Sequence, residues 1–330
     1  MSSFFMSTVK ARLEKDKNRY ELLKLNDLLS WDSIGNLLRH DRAKRRKDSR
    51  GNGGFDPLKM FKAVLLGQWH NLSDPALEHA IAIRADFLVF CDFDDMELPD
   101  HSTRCRFRDY LEESGLLSPL LREINDQLGA LNLKVEKAST AVVDASIIES
   151  AAKPLRKRVE VDGNEVTPSQ PSKDPDARWT KKAKRFHLGY KLHACVDGEG
   201  YFDNIEVTAA NAHEVNHLES VLEHIAKGTE VLADKGYSSQ ANRKMLSGRG
   251  LRSGLMHKAV RGKPLTQKQI GENKRIQKQR YVVEQSFGTL KRKFGFHRAR
   301  YFGQSRVLAQ SYLKAMCLNL VKALNKVSYT

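Results

Sequence analysis

The stretch from Lys274 to Phe296 constrains the fold most. When its residues are placed around a helix axis at about 100° per residue, they form an apolar stripe and a charged stripe. A second arc, about 40° wide by the same rotation, carries Arg280, Glu284 and Lys291 beside an apolar stripe. The stretch therefore predicts an amphipathic helix with one carboxylate between two cations at the edge of its buried face. The apolar stripe consists of Ile276, Val283, Phe287, Leu290 and Phe294.

The charged arc of this helix has two interpretations. A carboxylate at this place can reach a metal ion while the neighbouring cations reach phosphates. The alternative is a solvated face with stabilising i,i+4 pairs, each contributing a few tenths of a kcal/mol. Asp144 and Asp234 favour the first interpretation, because both occur where a purely structural carboxylate is hard to explain.

Each of these two acids belongs to a short strand-like segment. Asp144 is the single carboxylate of the β-rich run from Ala141 to Ile148, where an unpaired charge would cost several kcal/mol, so a divalent metal or a buried cation must compensate it. Asp234 ends the buried strand that begins at Glu230, and ligands in α/β sheets collect at the carboxyl ends of strands. The alternative for Asp234 is a cap on the helix that follows it.

The charge balance predicts a polyanionic partner. The 330 residues include 56 Lys and Arg against 40 Asp and Glu, which gives a net charge of +16 and a pI near 9.6. Nucleic acid is favoured over a membrane, because no apolar run approaches the roughly 18 residues needed to span a bilayer and no signal-peptide layout is present. We therefore expect a cytoplasmic, nucleoid-associated protein. Its scattered cysteines argue against a zinc site and a disulfide framework. They are Cys91, Cys105, Cys195 and Cys317.

Residues 1–135 are predicted to form an all-α domain. Four segments carry helix signals, with an Asp and a Pro at the starts of the first two and a Gly after the last two. They are Asp56-Pro57 to His70, Ser73-Asp74-Pro75 onward, Ser102 to Glu113 with Gly115, and Ser118 to Leu128 with Gly129. No catalytic cluster occurs among them, so we expect this domain to bind DNA ends or a second copy of the chain.

Two positively charged segments of this domain each have two possible interpretations. The run from His40 to Arg50 is either a solvated linker or a segment that tracks a DNA backbone. The third of the signalled helices carries Arg104, Arg106 and Arg108, and it either lies on DNA or is an ordinary basic surface helix.

Residues 136–330 are predicted to form a second domain with a basic polar insertion at about 151–180. The insertion is rich in Pro, Lys and Asp and is expected to be a mobile flap. It runs into a segment where an aromatic residue is interleaved with cations, as in surfaces that track a nucleic-acid strand and stack a base. The alternative is a disordered basic loop whose Trp packs locally. The candidate DNA-binding residues of this segment are Trp179, Lys181, Lys182, Lys184 and Arg185.

Strands and helices are predicted to follow this segment. The turn Asp197-Gly198-Glu199-Gly200 joins two strands as a hairpin, so its acids are turn residues and are excluded from the site. His213 and His217 have i,i+4 spacing, but without a HExxH setting they are weak evidence for zinc. The predicted elements are strands at Phe186 to Val196, Tyr201 to Thr208 and Leu251 to His257, and helices at His213 to Ala226, with Asn211 as its cap, and Ser305 to Asn325.

The order of these elements predicts how the acids can meet. Asp144 and Asp234 lie on different strands and Glu284 on a helix, so the three converge only if the strands are neighbours in one sheet, which a right-handed crossover allows. The predicted fold class is therefore α/β, with a ribonuclease H-like mixed-sheet catalytic core preceded by an all-α N-terminal domain.

The chain resembles the DDE transposases of bacterial insertion sequences, in the group of insertion sequences four and five and most closely insertion sequence five. That family carries a Tyr-x2-Arg-x3-Glu-x6-Lys signature, and this chain has Arg280, Glu284 and Lys291 at the same spacing. Gln277 stands at the position of the tyrosine.

The resemblance extends over nearly the full length. The other two family acids match Asp144 in Val-Val-Asp-Ala-Ser and Asp234 in Ala-Asp-Lys-Gly-Tyr. Three N-terminal segments resemble the helical domain that precedes the catalytic core in insertion-sequence-five enzymes. They are Phe55-Asp56-Pro57, Trp69 to Asp74 and Pro99 to Thr103.

The resemblance implies a metal-dependent reaction on double-stranded DNA. Asp144, Asp234 and Glu284 would be the catalytic acids and the ligands of two Mg²⁺ or Mn²⁺ ions, which suit oxygen ligands and in-line displacement at phosphorus. Water would cut at the inverted repeats of the element to expose 3′-OH groups, which would then attack target DNA. Arg280 and Lys291 would hold phosphates, and a homodimer would hold two element ends.

Two rival functions stay open at this point. A DNA-binding protein derived from a transposase would keep the basic surface without catalysis, and the three intact acids disfavour it. A metal-dependent nuclease without strand transfer would differ only in its product.

Overall fold

A computed structural model of the protein describes residues 4–45, 54–94, 97–135, 139–155, 159–161, 164–166 and 171–327. The chain divides into two compact units, which we call the helical unit and the sheet unit. The helical unit comprises Met1–Lys134 and Tyr312–Thr330, and the sheet unit comprises Val135–Ser311. None of the helices in the described part of the chain combines the length and the apolar character needed to cross a bilayer.

The helical unit contains eight helices before its C-terminal segment, in the ranges that the structure describes. They are α1 (Phe4–Lys15), α2 (Glu21–Leu28), α3 (Trp31–Arg45), α4 (Pro57–Trp69), α5 (Asp74–Ile83), α6 (Ala85–Cys91), α7 (His101–Ser114) and α8 (Leu117–Ala130). The His40 end of the predicted basic run belongs to α3, and residues 46–50 lie outside the described residues.

The helix signals of the sequence mostly act where they were predicted. The Asp56 carboxylate accepts the N–H groups of Leu58 and Lys59 and so caps α4. Ser73, not Asp74, caps α5. Gly115 closes α7 in the left-handed region with φ 72°. The predicted end at Leu128, closed by Gly129, is wrong by two residues, because α8 continues to Ala130.

The sheet unit contains the strands and the remaining helices. The strands are β1 (Thr140–Glu149), β2 (Val159–Val161), β3 (Asn164–Val166), β4 (Arg178–Lys182), β5 (Arg185–Asp197), β6 (Phe202–Ala209), β7 (Glu230–Ala233) and β8 (Arg252–Leu255). The helices are α9 (Leu218–Val221), α10 (Gln240–Gly248), α11 (Gln267–Arg292) and α12 (Gln304–Val327).

The main sheet has six strands in the order β4-β5-β1-β7-β8, with β6 paired to β5. β5 runs antiparallel to β1, whereas β7 runs parallel to both β1 and β8, so the sheet is mixed. A helical N-terminal region followed by a mixed sheet with helices confirms the predicted fold class.

The C-terminal helix differs from the predicted domain division, which left it in the second domain. α12 is grouped with the helical unit from Tyr312 onward. The reason is its contacts: Asn319 Nδ2 donates to Asn125 Oδ1 at 2.8 Å, and Lys326 Nζ donates to the Leu133 carbonyl at 2.8 Å.

The predicted flap is structured over its second half. Asp174 is fully buried and accepts hydrogen bonds from the hydroxyls of Ser150, at 2.6 Å, and Tyr190. A mobile flap is therefore wrong for residues 171–177, because a buried carboxylate with these partners fixes the backbone. Residues 156–158, 162–163 and 167–170 of the predicted insertion lie outside the described residues.

The predicted basic loop is also a regular element. β4 pairs with the start of β5, and Ala183 and Lys184 form the two-residue turn with φ 47° and 67°. Left-handed φ at both positions is typical of a type I′ hairpin turn. A disordered loop is thus wrong, and the segment is a β-hairpin, which we call the basic hairpin (Arg178–His187).

The helix predicted from His213 to Ala226 is mostly wrong. The structure has a 3-10 turn at Glu214–Asn216, the short α9, and then further tight turns, because the N–H of Ile225 bonds to the Leu222 carbonyl three residues back. Asn211 is not a cap of either element, since His213 precedes the first turn.

Candidate active site

Asp144 and Asp234 lie side by side on adjacent parallel strands. Val143 of β1 pairs with Ala233 of β7, and each acid is the next residue of its chain. Neighbouring strands lie about 4.8 Å apart, so the two side chains start from adjacent positions at this end of β7. The prediction that the two acid-bearing strands are neighbours in one sheet is confirmed.

The Asp144 carboxyl group is held in a desolvated setting. Its side chain is 19% exposed, and burial raises its pKa from 3.8 to about 6, although Arg280 lowers that pKa and Asp234 and Glu214 raise it. Arg280 Nη2 lies 3.1 Å from Asp144 Oδ1, and the Arg280 side chain is itself 10% exposed. Arg280 is therefore the buried cation that compensates this charge.

α11 brings Arg280 to the sheet. The helix starts at Gln267, earlier than predicted, because Thr266 and Gln269 form a capping box. It packs against β1 and β7. Its predicted apolar stripe is buried, with Ile276, Val283, Phe287 and Leu290 in the helix and Phe294 beyond its end. The amphipathic prediction is confirmed, and it explains why Arg280 enters the site from the edge of the buried face.

Glu284 shares the face of α11 that carries Arg280. It lies one helical turn after Arg280 and is exposed. Among the described residues, it forms no hydrogen bond or ion pair with Asp144 or Asp234. No group of three or more His, Cys, Asp and Glu in the described ranges is placed to hold a metal ion. The structure therefore joins Asp144, Asp234 and Arg280, and the role of Glu284 stays a prediction.

The turn after β7 fixes the Asp234 side chain. Asp234 Oδ1 accepts the N–H of Gly236 at 2.6 Å and caps a 3-10 turn at Lys235–Tyr237. Capping of the next α-helix by Asp234 is wrong, because Ser239 Oγ accepts the Asn242 N–H at 3.0 Å and caps α10.

Glu214 is an acid of this site that the sequence analysis missed. Its charge acts on the pKa of Asp144 and of Tyr237, as does the charge of Asp234. Lys191 Nζ lies 3.3 Å from Glu214 Oε1. The available signal was Lys191 itself, a cation in the middle of an otherwise apolar strand that requires a counter-charge.

Two family comparisons bear on this chain. Residues 137–320 match the Transposase DDE domain family, and residues 8–110 match the Transposase domain (DUF772) family. The chain belongs to the transposase DDE domain family. It is 53% identical over 225 residues to the transposase for insertion sequence element IS1106 of Neisseria meningitidis serogroup B, a match that covers 68% of this chain and 78% of that relative.

A solved structure with a similar outline is the piggyBac transposase synaptic complex with hairpin DNA. The identity is 11%, the TM-score is 0.42, and the match covers 88% of this chain and 70% of that one.

Two of the three predicted metal ligands have carboxylate oxygens placed to suit a divalent metal ion. DDE transposase domains generally use divalent metal ions. Asp144 and Asp234 supply hard oxygen donors from adjacent strands, and the Nε of Arg280 is buried without a hydrogen-bond partner, so this charge pocket is not internally saturated. Glu284 is exposed on the next turn of α11, and it forms no group of three potential ligands with the two aspartates in the described ranges.

Two of the predicted DNA-binding lysines, Lys291 of α11 and Lys182 of the basic hairpin, affect each other electrostatically. Lys291 is partly buried; burial lowers its pKa first, the charge of Lys182 lowers it further, and Glu149 raises it. Lys182 pairs with Arg185 next to the tip of the basic hairpin. The electrostatic effect of Lys182 on Lys291 connects the hairpin with α11.

The basic hairpin presents aromatic surface as well as charge. Trp179 is 43% exposed, and Phe186, which the sequence analysis did not select, is 68% exposed. Lys181 Nζ lies 5.4 Å from the Phe186 ring centroid, a cation–π distance. Lys184 is at the tip, at one of the two positive-φ positions.

α7 of the helical unit does not present all its arginines to DNA. Arg104 is 1% exposed and donates to the Pro99 carbonyl, and Arg108 Nη1 lies 2.8 Å from Asp74 Oδ1. The hypothesis that this helix reads bases is therefore wrong for these two residues, because their guanidinium groups hold helices together. Arg106 is exposed.

Proposed function

We propose that this member of the transposase DDE domain family cleaves phosphodiester bonds at the inverted-repeat ends of its own element and joins the 3′-OH ends to target DNA. One observation carries the proposal: Asp144 and Asp234 follow paired residues of adjacent parallel strands, with Arg280 on the first acid. The assignment to insertion sequence five within the wider group is part of the proposal and rests on the Arg280, Glu284 and Lys291 spacing.

The proposed chemistry uses Asp144, Asp234 and Glu284 as the acids of the site. These acids would hold two Mg²⁺ or Mn²⁺ ions, which would activate the attacking oxygen and stabilise the leaving oxygen. Arg280 neutralises the Asp144 carboxylate in the structure. Its Nε, which has no hydrogen-bond partner among the described residues, would be available to a phosphate oxygen of bound DNA. Glu284, one helical turn after Arg280 on α11, would complete this set of acids.

Lys291 and the basic hairpin are proposed to hold DNA beside these acids. Lys291 and Lys182 raise the local positive potential, and Glu149 is the carboxylate whose charge acts on Lys291. Lys181, Lys184 and Arg185 extend this potential along the hairpin, and Trp179 offers a face for a displaced base. The proposed partners are the inverted repeats, the target DNA and a second copy of the chain in the DNA complex. The proposed location is the nucleoid.

The test is a nicking assay on duplex DNA that carries the inverted repeats, with Mg²⁺ or Mn²⁺ added. Asp144→Asn, Asp234→Asn and Glu284→Gln are each expected to abolish cleavage and to change the Kd for DNA by less than about threefold, because each removes a ligand charge and keeps the side-chain shape. Glu199→Gln, in an exposed turn, is the matched control and should cleave as the wild type does. Cleavage at the wild-type rate by any of the three variants would remove that residue from the site.

A second candidate is a transposase-derived DNA-binding protein without catalysis. The observation in its favour is that no group of three acids in the described ranges is placed to hold a metal ion. Metal-dependent nicking by the wild type excludes this candidate. Recovery of covalently joined donor and target DNA excludes a nuclease without strand transfer.

A further inference from the structure

Lys191 is a cation inside the sheet whose contacts lead to the acid turn. Its Nζ donates to the Ala212 carbonyl at 2.7 Å and lies 3.3 Å from Glu214 Oε1. The Lys191 side chain is 14% exposed and that of Glu214 is 28% exposed, so the pair is largely shielded from water. A shielded ion pair with an additional hydrogen bond holds its geometry better than an exposed one. β5 thereby fixes the 3-10 turn that carries Glu214.

The other oxygen of Glu214 lies against the turn that carries Asp234. A Cβ on Gly236 would meet Glu214 Oε2 at 2.7 Å and Asp234 Oδ1 at 2.8 Å, so two carboxylates flank the same glycine. The Gly236 N–H donates to Asp234 Oδ1 at 2.6 Å. A side chain at this position would therefore have to move at least one of the two carboxylates.

Asn242 of α10 independently connects the two turns. Its Nδ2 donates to the Val215 carbonyl at 2.9 Å and to the Tyr237 carbonyl at 2.8 Å. Val215 follows Glu214 in the first 3-10 turn, and Tyr237 ends the second. The turn that carries Asp234 is therefore held against the turn that carries Glu214 by backbone contacts as well as by packing of the carboxylate.

The proximity of Glu214 to Asp234 carries an electrostatic cost. Two carboxylates on either side of one glycine repel each other, and Asp144 is a third negative charge that both of them affect. Lys191 offsets the charge on the Glu214 side and Arg280 offsets it on the Asp144 side. Asp234 has no such cation of its own among the described residues, and its carboxylate is fixed by the turn alone.

We propose that Glu214, held by Lys191, is a positioning residue of the DNA-cleaving site: it fixes the turn at 235–237 and thereby the direction of the Asp234 carboxylate. The inference rests on the proposed function, because it assigns a role within the same site. Glu214 acts through the turn and touches neither DNA nor the reacting phosphate.

The first experiment measures the turn directly, without DNA or metal. Hydrogen exchange of the full-length protein is followed at the Gly236 and Tyr237 amides in the wild type, in Glu214→Gln and in Glu219→Gln, an exposed glutamate of α9 that serves as control. Glu214→Gln is expected to speed exchange at these two amides by about tenfold, because it loses the ion pair with Lys191 that anchors the first turn, to which Asn242 joins the turn at 235–237. Exchange within twofold of the wild type in Glu214→Gln overturns the proposal.

The second experiment measures single-turnover cleavage and DNA affinity of the same proteins. Glu214→Gln is expected to lower the cleavage rate by about 10–100-fold, the usual effect of removing a group that orients a reactive side chain, with the Kd for DNA unchanged within twofold. Glu214→Asp keeps the charge and should recover part of the rate. Lys191→Gln combined with Glu214→Gln should be no slower than the slower single variant, because both act through one contact.

The outcomes separate this proposal from the proposed function. If the wild type cleaves and Glu214→Gln cleaves equally fast, the positioning role is refuted and the transposase function stands. The same holds if the rate falls in proportion to a loss of DNA affinity, since a positioning residue leaves binding unchanged. If the wild type does not cleave, the proposed function fails, and the exchange at Gly236 still decides whether Glu214 fixes the turn.

Discussion

Asp144→Asn is expected to make the sheet unit more stable at neutral pH, although it removes the central acid of the site. Burial raises the pKa of Asp144 from 3.8 to about 6 in the folded protein. Because a folded-state pKa above the unfolded value means that the folded protein binds this proton more tightly, the free energy of unfolding falls as the pH rises from about 4 to 6. Well above pH 6, the full cost of holding the ionised Asp144 carboxylate in the folded protein is subtracted from the free energy of unfolding.

The magnitude follows from the size of the pKa shift. At 1.36 kcal/mol per pKa unit, a rise from 3.8 to about 6 corresponds to about 3 kcal/mol of lost stability at pH 8. An asparagine resembles the protonated aspartic acid at every pH. Asp144→Asn should therefore exceed the wild type by up to about 3 kcal/mol at pH 8, and the difference should disappear near pH 4.

The assay is urea unfolding in EDTA, followed by hydrogen exchange of peptides from β1 and β7 so that the sheet unit is observed on its own. Glu199→Gln, in the exposed turn after β5, serves as the control and should change stability by less than about 0.5 kcal/mol. A variant that is no more stable than the wild type at pH 8, or whose advantage is the same at pH 4 and pH 8, would refute the assignment of this cost to the ionised Asp144.

Three further outcomes test other parts of the structure. Lys291→Ala should weaken DNA binding and reduce the slope of log K against log salt by about 0.9, whereas the exposed Lys268→Ala should leave the slope unchanged; an unaltered slope for Lys291→Ala would count against a phosphate contact. Trp179→Ala should weaken binding to single-stranded DNA by about 1–3 kcal/mol relative to duplex binding, measured by fluorescence anisotropy, and an equal loss on both would contradict base stacking. Thr266→Ala should destabilise the start of α11 by about 1 kcal/mol in urea unfolding, because it removes the capping box, and Thr289→Ala inside the same helix is the comparison; equal effects would argue against the cap.

The sequence predicted the elements of the sheet unit well where apolar residues recur with the period of a strand or a helix. The alternation in β5 and β6 and the Asp-Gly turn between them gave the hairpin, and Asp197 accepts the N–H groups of Glu199 and Tyr201 as a turn residue does. The apolar stripe of α11 also sufficed to place Arg280 at the edge of the buried face.

Predictions failed where a distant partner decides the local structure. The segment after His213 has a helical pattern, but Lys191 and Asn242 hold it as a 3-10 turn. Arg104 and Arg108 resemble a DNA-binding face in sequence, yet acids and carbonyls of neighbouring segments bury them. No local period reports such contacts.

The candidate site shows the same division. The adjacency of Asp144 and Asp234 followed from strand order and a crossover rule, because sheet topology has few solutions. The direction of a side chain on a helix surface has many solutions, and among the described residues no hydrogen bond or ion pair fixes the exposed Glu284 against either aspartate. Family spacing identifies such a residue without fixing its rotamer.

The pairing of β1 with β7 also makes the activity depend on the folding of the whole sheet unit. Val142 and Leu232 are partners although about ninety residues separate them along the chain. Closing so long a loop is entropically costly and comes late, after local hairpins have formed. If Asp144 and Asp234 act as proposed, a chain still emerging from the ribosome, or one that has partly unfolded, holds the first acid without the second, and it would not cut the DNA near it.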